Sequence, residues 1–93
     1  MIVDVIMPKL GMYEDDVELV EWLAADGSDV DVGDPLFVME TEKLTTEIEA
    51  EDPGILVCVA EPGFRAPIGS RIGYLVSTEA EQAELRASLA AGR

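Results

Sequence analysis

The sequence contains no histidine and only one cysteine, Cys58, among its 93 residues. A single cysteine excludes an internal disulfide framework, and the lack of histidine excludes Cys/His zinc sites and any catalytic triad built on imidazole. Cys58 lies in the apolar run ILVCVA, where a free thiol more often behaves as a small buried hydrophobe than as a nucleophile. The sequence therefore predicts no metal site, no catalytic residues and no enzymatic activity of the chain's own.

Basic residues are scarce as well, since 6 lysines and arginines stand against 20 aspartates and glutamates and give a net charge of −14. Such a chain repels the phosphate backbone of nucleic acids and anionic membrane surfaces, so neither is an expected partner. A protein with a positively charged docking face would be steered toward this surface, more strongly at low salt.

A long apolar run is also missing. The first ten residues, MIVDVIMPKL, carry Asp4 early and Lys9 late, which matches neither a signal peptide nor a membrane span. The sequence therefore predicts a cytoplasmic protein. Hydrophobic residues still make up 48% of the chain, enough to order one modest core but, at this length, no second one.

Short runs rich in valine, isoleucine and leucine dominate the rest of the chain, and turns of glycine, proline and aspartate separate them. This pattern is typical of many short strands. The predicted strands cover residues 2–7, 19–24, 36–41, 45–50, 55–60 and 72–77. Together they predict an all-β fold, either a sandwich or a flattened barrel.

An internal repeat adds symmetry to this prediction. A shift of 36 residues takes Gly27 to Gly63 and Gly33 to Gly69, so a Gly-x5-Gly spacing occurs twice. The same shift places apolar residues on apolar residues at Val20 and Leu56, Leu23 and Val59, Val32 and Ile68, Leu36 and Ile72, and Met39 and Leu75. The repeat predicts two similar antiparallel sheets related by a pseudo-twofold axis.

Between the two halves, the stretch LFVMETEKLTTEIEA is predicted to form a hairpin whose two-residue connection is Glu42 and Lys43. Because Glu-Lys lacks the Asn-Gly chemistry of the favoured primed turns, we expect a type I turn. The nearby carboxylates of Glu40, Glu42 and Glu47 favour the ammonium form of the lysine, the opposite of what a Schiff-base or general-base lysine needs. Lys43 is therefore predicted either to accept an acyl group from a separate enzyme or to be an ordinary solvated lysine.

Five segments resemble the lipoyl domain of the E2 acyltransferases of 2-oxoacid dehydrogenase complexes. They are MPKLGM (residues 7–12), VEWL (20–23), VGDPL (32–36), METEKLTTEIEA (39–50) and PGIL (53–56). The resemblance runs through residues 2–77, and its most specific element is the acidic residue followed by lysine in ETEK. It implies a swinging-arm carrier in which lipoate is linked as an amide to Lys43.

The resemblance also implies partners and a surrounding site. Lipoate ligase or a lipoyl transferase would attach the cofactor, and E1-, E2- and E3-type enzymes would then acylate, deacylate and reoxidise its dithiolane, in a 2-oxoacid dehydrogenase-type complex or a specialised acyl-transfer pathway. The residues expected to frame the lysine for the lipoylating enzyme are Glu40, Thr41, Glu42 and Leu44, and those of the loop expected beside the arm are Leu10 and Gly11.

Two alternatives remain open at this point. Biotinyl carriers share the fold and place their lysine at the same hairpin, but usually between two methionines, whereas Glu42 and Leu44 flank Lys43 here. This difference favours lipoate over biotin as the cofactor. The other alternative is an unmodified lipoyl-like domain that serves as an interaction module. The chain also departs from the lipoyl family in having Val17 where glycine is common and Leu44 where alanine is usual.

The end of the chain, STEAEQAELRASLAAGR, changes character. Thr78 and Glu81 have the spacing of a capping box, and Leu85 and Leu89 fall on one helical face. The sequence thus predicts a carrier domain over residues 1–77 and a short helical tail over 78–93. The tail is expected either to pack loosely on the domain or to dock a partner.

Overall fold

The computed structural model describes residues 2–8, 16–42 and 44–91 of the chain. Eight strands and one helix make up this part: β1 (Ile2–Ile6), β2 (Val17–Trp22), β3 (Asp29–Val30), β4 (Pro35–Glu40), β5 (Thr45–Glu49), β6 (Gly54–Cys58), β7 (Arg65–Ala66), β8 (Arg71–Val76) and α1 (Glu79–Ala91).

The strands form two antiparallel sheets of four strands each. Sheet 1 has the order β1-β8-β6-β3 and sheet 2 the order β5-β4-β2-β7. The predicted all-β fold with two similar sheets and a C-terminal helix is thereby confirmed. The strands β3 and β7 were not predicted, because two residues are too few to display the alternation by which a strand is recognised in a sequence.

The pseudo-twofold relation is visible in the backbone hydrogen bonds. Shifting by 36 residues takes β3 onto β7 and β4 onto β8. The amide of Leu23 donates to the carbonyl of Leu36 at 2.9 Å, and the shifted pair, Val59 to Ile72, has the same bond at 3.0 Å. The two halves of the chain therefore contain equivalent strands and turns, as the repeat predicted.

The repeated glycines hold the turns of both halves. Gly27 and Gly63 have φ angles of 86° and 95°, and Gly33 and Gly69 have 90° and 92°. In this left-handed region a side chain other than hydrogen is disfavoured, so the Gly-x5-Gly spacing is a conformational requirement that both halves share.

One predicted pair in the repeat is wrong by a single residue. The amide of Gly27 donates to Leu56, and the equivalent amide of Gly63 donates to Leu19 and not to Val20, both at 2.7 Å. The register of β2 against β4 shifts between Leu19 and Glu21, so a bulge in β2 absorbs one extra residue. A constant shift read from the sequence cannot locate such an insertion.

The core lies between the two sheets. Its largest fully buried side chains are Phe37, Met7, Leu19, Met39, Leu56, Ile72 and Val17. Trp22 packs edge-on against Phe37 with ring centroids 5.7 Å apart, and its indole N–H donates to the carbonyl of Ala60 at 2.9 Å. These contacts tie β2 and β4 of sheet 2 to the turn that follows β6 in sheet 1.

Helix α1 covers part of the outer face of sheet 1. Its Leu85 and Leu89 pack against a second apolar cluster formed by Ile55, Val57, Tyr74 and Val76. At its start the amide of Glu81 donates to the hydroxyl of Thr78 at 3.1 Å, while the carboxylate of Glu81 accepts from the amide of Ser77 at 2.8 Å. The predicted capping interaction therefore exists, although the returning bond goes to Ser77. The division of the chain at residue 77 stays a prediction.

A charged contact also fastens α1 to the sandwich. The guanidinium of Arg86 donates to both carboxylate oxygens of Asp26, at 2.9 and 3.2 Å, and the amide of Cys58 donates to the same carboxylate at 2.9 Å. The hydrogen bond from Arg86 lowers the pKa of Asp26 below its ordinary value of 3.8.

We expect Asp26→Asn to weaken the fold in a pH-dependent way. Because the pKa of Asp26 is lower in the folded state, the ionised carboxylate stabilises the fold above its unfolded pKa, and this contribution is lost as the pH falls through the lowered value. The pair is partly exposed, so the loss near neutral pH should stay below roughly 1 kcal/mol. Urea unfolding of the wild type and variant from pH 7 downward measures it, with Asp29→Asn as control. A difference that does not shrink on acidification would contradict this account.

Candidate functional site

The hairpin between β4 and β5 is the feature to which the sequence drew attention. Glu40 and Thr45 are the last paired residues of the two strands, and the amide of Thr41 donates to the carbonyl of Leu44 at 2.7 Å. A backbone hydrogen bond therefore closes the connection between β4 and β5, and the two-residue tip expected at Glu42 and Lys43 stays a prediction. Lys43 itself lies outside the described residues, as do Leu10 and Gly11 of the loop expected beside it.

The side-chain hydroxyl of Thr41 adds hydrogen bonds within this turn. It accepts a hydrogen bond from the amide of Leu44 at 3.1 Å and lies 3.2 Å from the Leu44 carbonyl, to which it can donate. In an ordinary two-residue hairpin the first residue's carbonyl would take the amide proton that the hydroxyl takes here. Thr41 is only 8% exposed, so its side chain fixes the turn and offers almost no surface to another protein.

The other three predicted framing residues differ from Thr41 in being exposed. The carboxylate of Glu40 accepts from the hydroxyl of Thr45 at 3.3 Å, Glu42 is exposed, and Leu44 is 48% exposed. The tip thus combines carboxylates with an apolar side chain at the surface. No non-glycine residue among those described has a positive φ, so Glu42 lacks the conformation that a primed turn requires there, and the type I turn itself stays a prediction.

The sequence placed Thr41 in the candidate site but did not reveal its side-chain hydrogen bonds to the backbone of Leu44. Its expected role of framing the lysine for the modifying enzyme, together with its exposed neighbours, is a separate matter that these bonds do not test. Threonine side chains that bond to backbone groups three residues away are a recognised local motif, and a threonine placed just before the tip of a predicted turn was the available signal. The role of every residue around Lys43 in modification stays a prediction.

Cys58 does not offer a second reactive group. It is half-buried at the end of β6, and burial, with the negative charge of Asp26 as a smaller cause, raises the pKa of its thiol to about 11. The thiolate that a nucleophile or metal ligand requires is therefore scarce at neutral pH. This agrees with the expectation that Cys58 behaves as a small apolar residue.

The described part of the chain contains no group of three or more histidine, cysteine, aspartate or glutamate side chains arranged to hold a metal ion. In the same part of the chain, no helix is both long enough and apolar enough to cross a bilayer.

Two kinds of similarity to known proteins accompany this geometry. The biotin/lipoyl attachment family, whose model is described as a biotin-requiring enzyme, matches residues 3–75. The lipoyl domain of the 2-oxoglutarate dehydrogenase complex of Azotobacter vinelandii, solved in solution, superposes with a TM-score of 0.66 at 24% identity, covering 81% of this chain and 96% of that domain. The latter likeness establishes the fold.

Curated relatives carry a more specific name. The dihydrolipoyllysine-residue acetyltransferase component of the acetoin cleaving system of Pseudomonas putida is 33% identical over 82 residues, which are 87% of this chain and 22% of that protein. The corresponding component of the pyruvate dehydrogenase complex of Rickettsia conorii is 32% identical over 90 residues, 95% of this chain and 22% of that protein. The chain thus spans about a fifth of the length of the curated relatives it matches.

Proposed function

Because the chain belongs to the biotin/lipoyl attachment family and is an attachment domain for one of these two cofactors, we propose that it carries lipoate, linked as an amide to Lys43. The observation that supports the proposal is the hydrogen-bonded pair of Thr41 and Leu44 at the end of the β4–β5 hairpin, where Glu42 and Leu44, the sequence neighbours of Lys43, are both exposed. Bound lipoate would supply a redox-active disulfide at the end of a long flexible arm.

The residues around the turn support recognition by a modifying enzyme. An exposed leucine and the carboxylates of Glu40 and Glu42 give a lipoate ligase or lipoyl transferase both an apolar contact and charges that a basic surface would attract. A lysine amine is ordinarily protonated at neutral pH, so the modifying enzyme must remove a proton from Lys43 and bring an activated acyl group.

Lipoate is favoured over biotin by two observations. The relatives named above are dihydrolipoyllysine-residue acetyltransferase components, and Glu42 and Leu44 stand where biotinyl carriers usually have methionines. We propose accordingly that the chain has no active site of its own and hands acyl groups and electrons between E1-, E2- and E3-type enzymes. Acetoin cleavage and pyruvate oxidation, the systems of its relatives, are the two candidate settings.

The intact mass of the protein, purified from cells supplied with both lipoate and biotin, tests the proposal. We expect one lipoyl group per chain, located by peptide mapping on Lys43 and absent from Lys43→Arg. The matched control is Lys9→Arg, because Lys9 is the only other lysine. A biotinyl group on Lys43 would replace lipoate in the proposal, and an unmodified lysine in cells with working ligases would leave an interaction module as the function.

A further inference from the structure

A groove opens between the edges of the two sheets. It is separate from the connection between Thr41 and Leu44, which we call the lysine turn. The residues that line the groove come from β1 and β5 and the segments that follow them, the loop after β3, the start of β4 and β8, and its volume is about 640 Å³. Its floor is apolar, with accessible surface from Val3, Ile6, Val32 and Ile48; the other apolar lining residues, Val5, Leu36, Phe37 and Leu75, are buried side chains of the core. None of residues 40–42 or 44 lines it, so the groove is not an extension of the turn.

The rim of the groove is acidic. Asp4, Glu47, Glu49, Glu51 and Asp52 all line it. Within the described residues, Asp4 has an ion pair with Arg71 at 3.8 Å, and the four others have no lysine or arginine within 4.0 Å. An apolar floor between unneutralised carboxylates is complementary to a ligand that is both apolar and cationic.

The strands that flank the groove have free backbone edges. In the described sheets, β1 and β5 are terminal strands, each paired on one side only. Exposed edges of this kind bind extended peptides by strand addition. Pairing with a second copy of this chain is disfavoured, because both copies would carry net charge −14 and bring acidic rims together.

From these observations we infer that the groove binds an extended basic segment of a partner protein. Aliphatic side chains of the segment enter the apolar floor, and its lysines or arginines lie against Glu47, Glu49 and Glu51. The backbone of the segment pairs with the free edge of β5 or β1. This binding does not require the lipoyl group, so the test uses the full chain with Lys43→Arg and is unaffected by the state of that residue.

Three synthetic peptides serve as probes. One, KLKVKLK, alternates basic and aliphatic residues as the groove requires; KSKSKSK keeps the charge without apolar side chains, and ELEVELE keeps the apolar side chains with reversed charge. Titration followed by amide NMR is expected to show saturable binding of the first peptide alone, with shifts confined to residues 3–6, 32–37 and 47–52.

Two pairs of variants test whether peptide binding depends on the residues of the groove or only on the overall charge and apolar surface of the domain. Glu49→Gln with Glu51→Gln should weaken binding of KLKVKLK about threefold to tenfold, as expected for the loss of two partly exposed ion pairs. Glu61→Gln with Glu84→Gln removes the same charge from exposed positions outside the groove and should leave binding unchanged.

The second pair of variants tests the apolar contact between the peptide and the groove. Val32 lines the groove and is 63% exposed, whereas Val59 is 45% exposed and lies outside it. Val32→Ser should weaken binding and Val59→Ser should not, and neither exposed change should unfold the domain. The inference is overturned if KSKSKSK binds as tightly as KLKVKLK, if both variants of either pair weaken binding equally, if the shifted amides lie elsewhere, or if KLKVKLK does not bind.

Discussion

Replacing Thr41 by valine is expected to lower the initial rate of lipoylation about tenfold while leaving the domain folded. Valine has the same branched shape as threonine and suits a strand, so the substitution changes the polarity of this buried side chain more than its volume. The change removes the hydroxyl that accepts from the amide of Leu44, so the turn keeps the backbone bond from Thr41 to Leu44 but loses the side-chain bond. One hydrogen bond of about 1.4 kcal/mol corresponds to a tenfold change in the equilibrium constant between the closed and the open turn, which sets the upper limit of the expected change in rate.

Serine at the same position provides the control, because Thr41→Ser keeps the hydroxyl and should be modified within about twofold of the wild-type rate. Initial rates are measured by intact mass with purified lipoate ligase. Faster hydrogen exchange at the amide of Leu44 in the valine variant alone would report the opened turn directly. Equal rates for the valine variant and the wild type would mean that the hydroxyl does not position the lysine.

The fold could be predicted from the sequence wherever it depends on residues that are required for one backbone conformation. Gly27, Gly33, Gly63 and Gly69 require left-handed backbone, so their spacing carried the symmetry of the fold. The bulge in β2 was not predictable, because it is defined by which backbone groups pair across strands. The short strands β3 and β7 likewise exist through their partners β6 and β2 and have no pattern of their own.

Some features around the candidate site could likewise be predicted from the sequence, and others could not. The hairpin and its tip follow from strand patterns and from a local turn, so they could be located in the sequence. The groove could not be, because its two walls are residues 3–6 and 47–52, which only the assembled sandwich brings together. The docking of α1 also depends on the ion pair between Asp26 and Arg86, which lie far apart in the sequence, so it could not be predicted. The cap of α1 could be predicted, because Thr78 and Glu81 are close in the sequence.

The two outer faces of the sandwich have diverged although the backbone repeats. In sheet 1, Tyr74 and Val76 of β8 lie under α1, whereas their repeat equivalents in β4 of sheet 2 are Val38 and the exposed Glu40. One half of the repeat has therefore become a face covered by the chain's own helix. The other presents carboxylates next to the lysine turn, where an attachment domain must meet its partners.

Gly73→Ala is expected to lower the free energy of unfolding by about 2–3 kcal/mol, the cost of overpacking a filled core. An added Cβ at Gly73 would lie 2.6 Å from the carbonyl oxygen of Val57 and 3.3 Å from the ring of Trp22. The first contact is with the backbone of the paired strand β6 and cannot be relieved by rotating a side chain. A loss of this size should lower the melting temperature by roughly 10–20 °C.

Gly63→Ala separates this steric cost from backbone strain. Gly63 has a φ of 95° and an added Cβ there would meet nothing within 4 Å, so its substitution should cost only the left-handed conformation, about 1–2 kcal/mol. Thermal unfolding followed by circular dichroism compares the two variants, and Trp22 fluorescence reports whether the ring has been displaced. If Gly73→Ala proves no more destabilising than Gly63→Ala, β8 must move away from β6 at little cost.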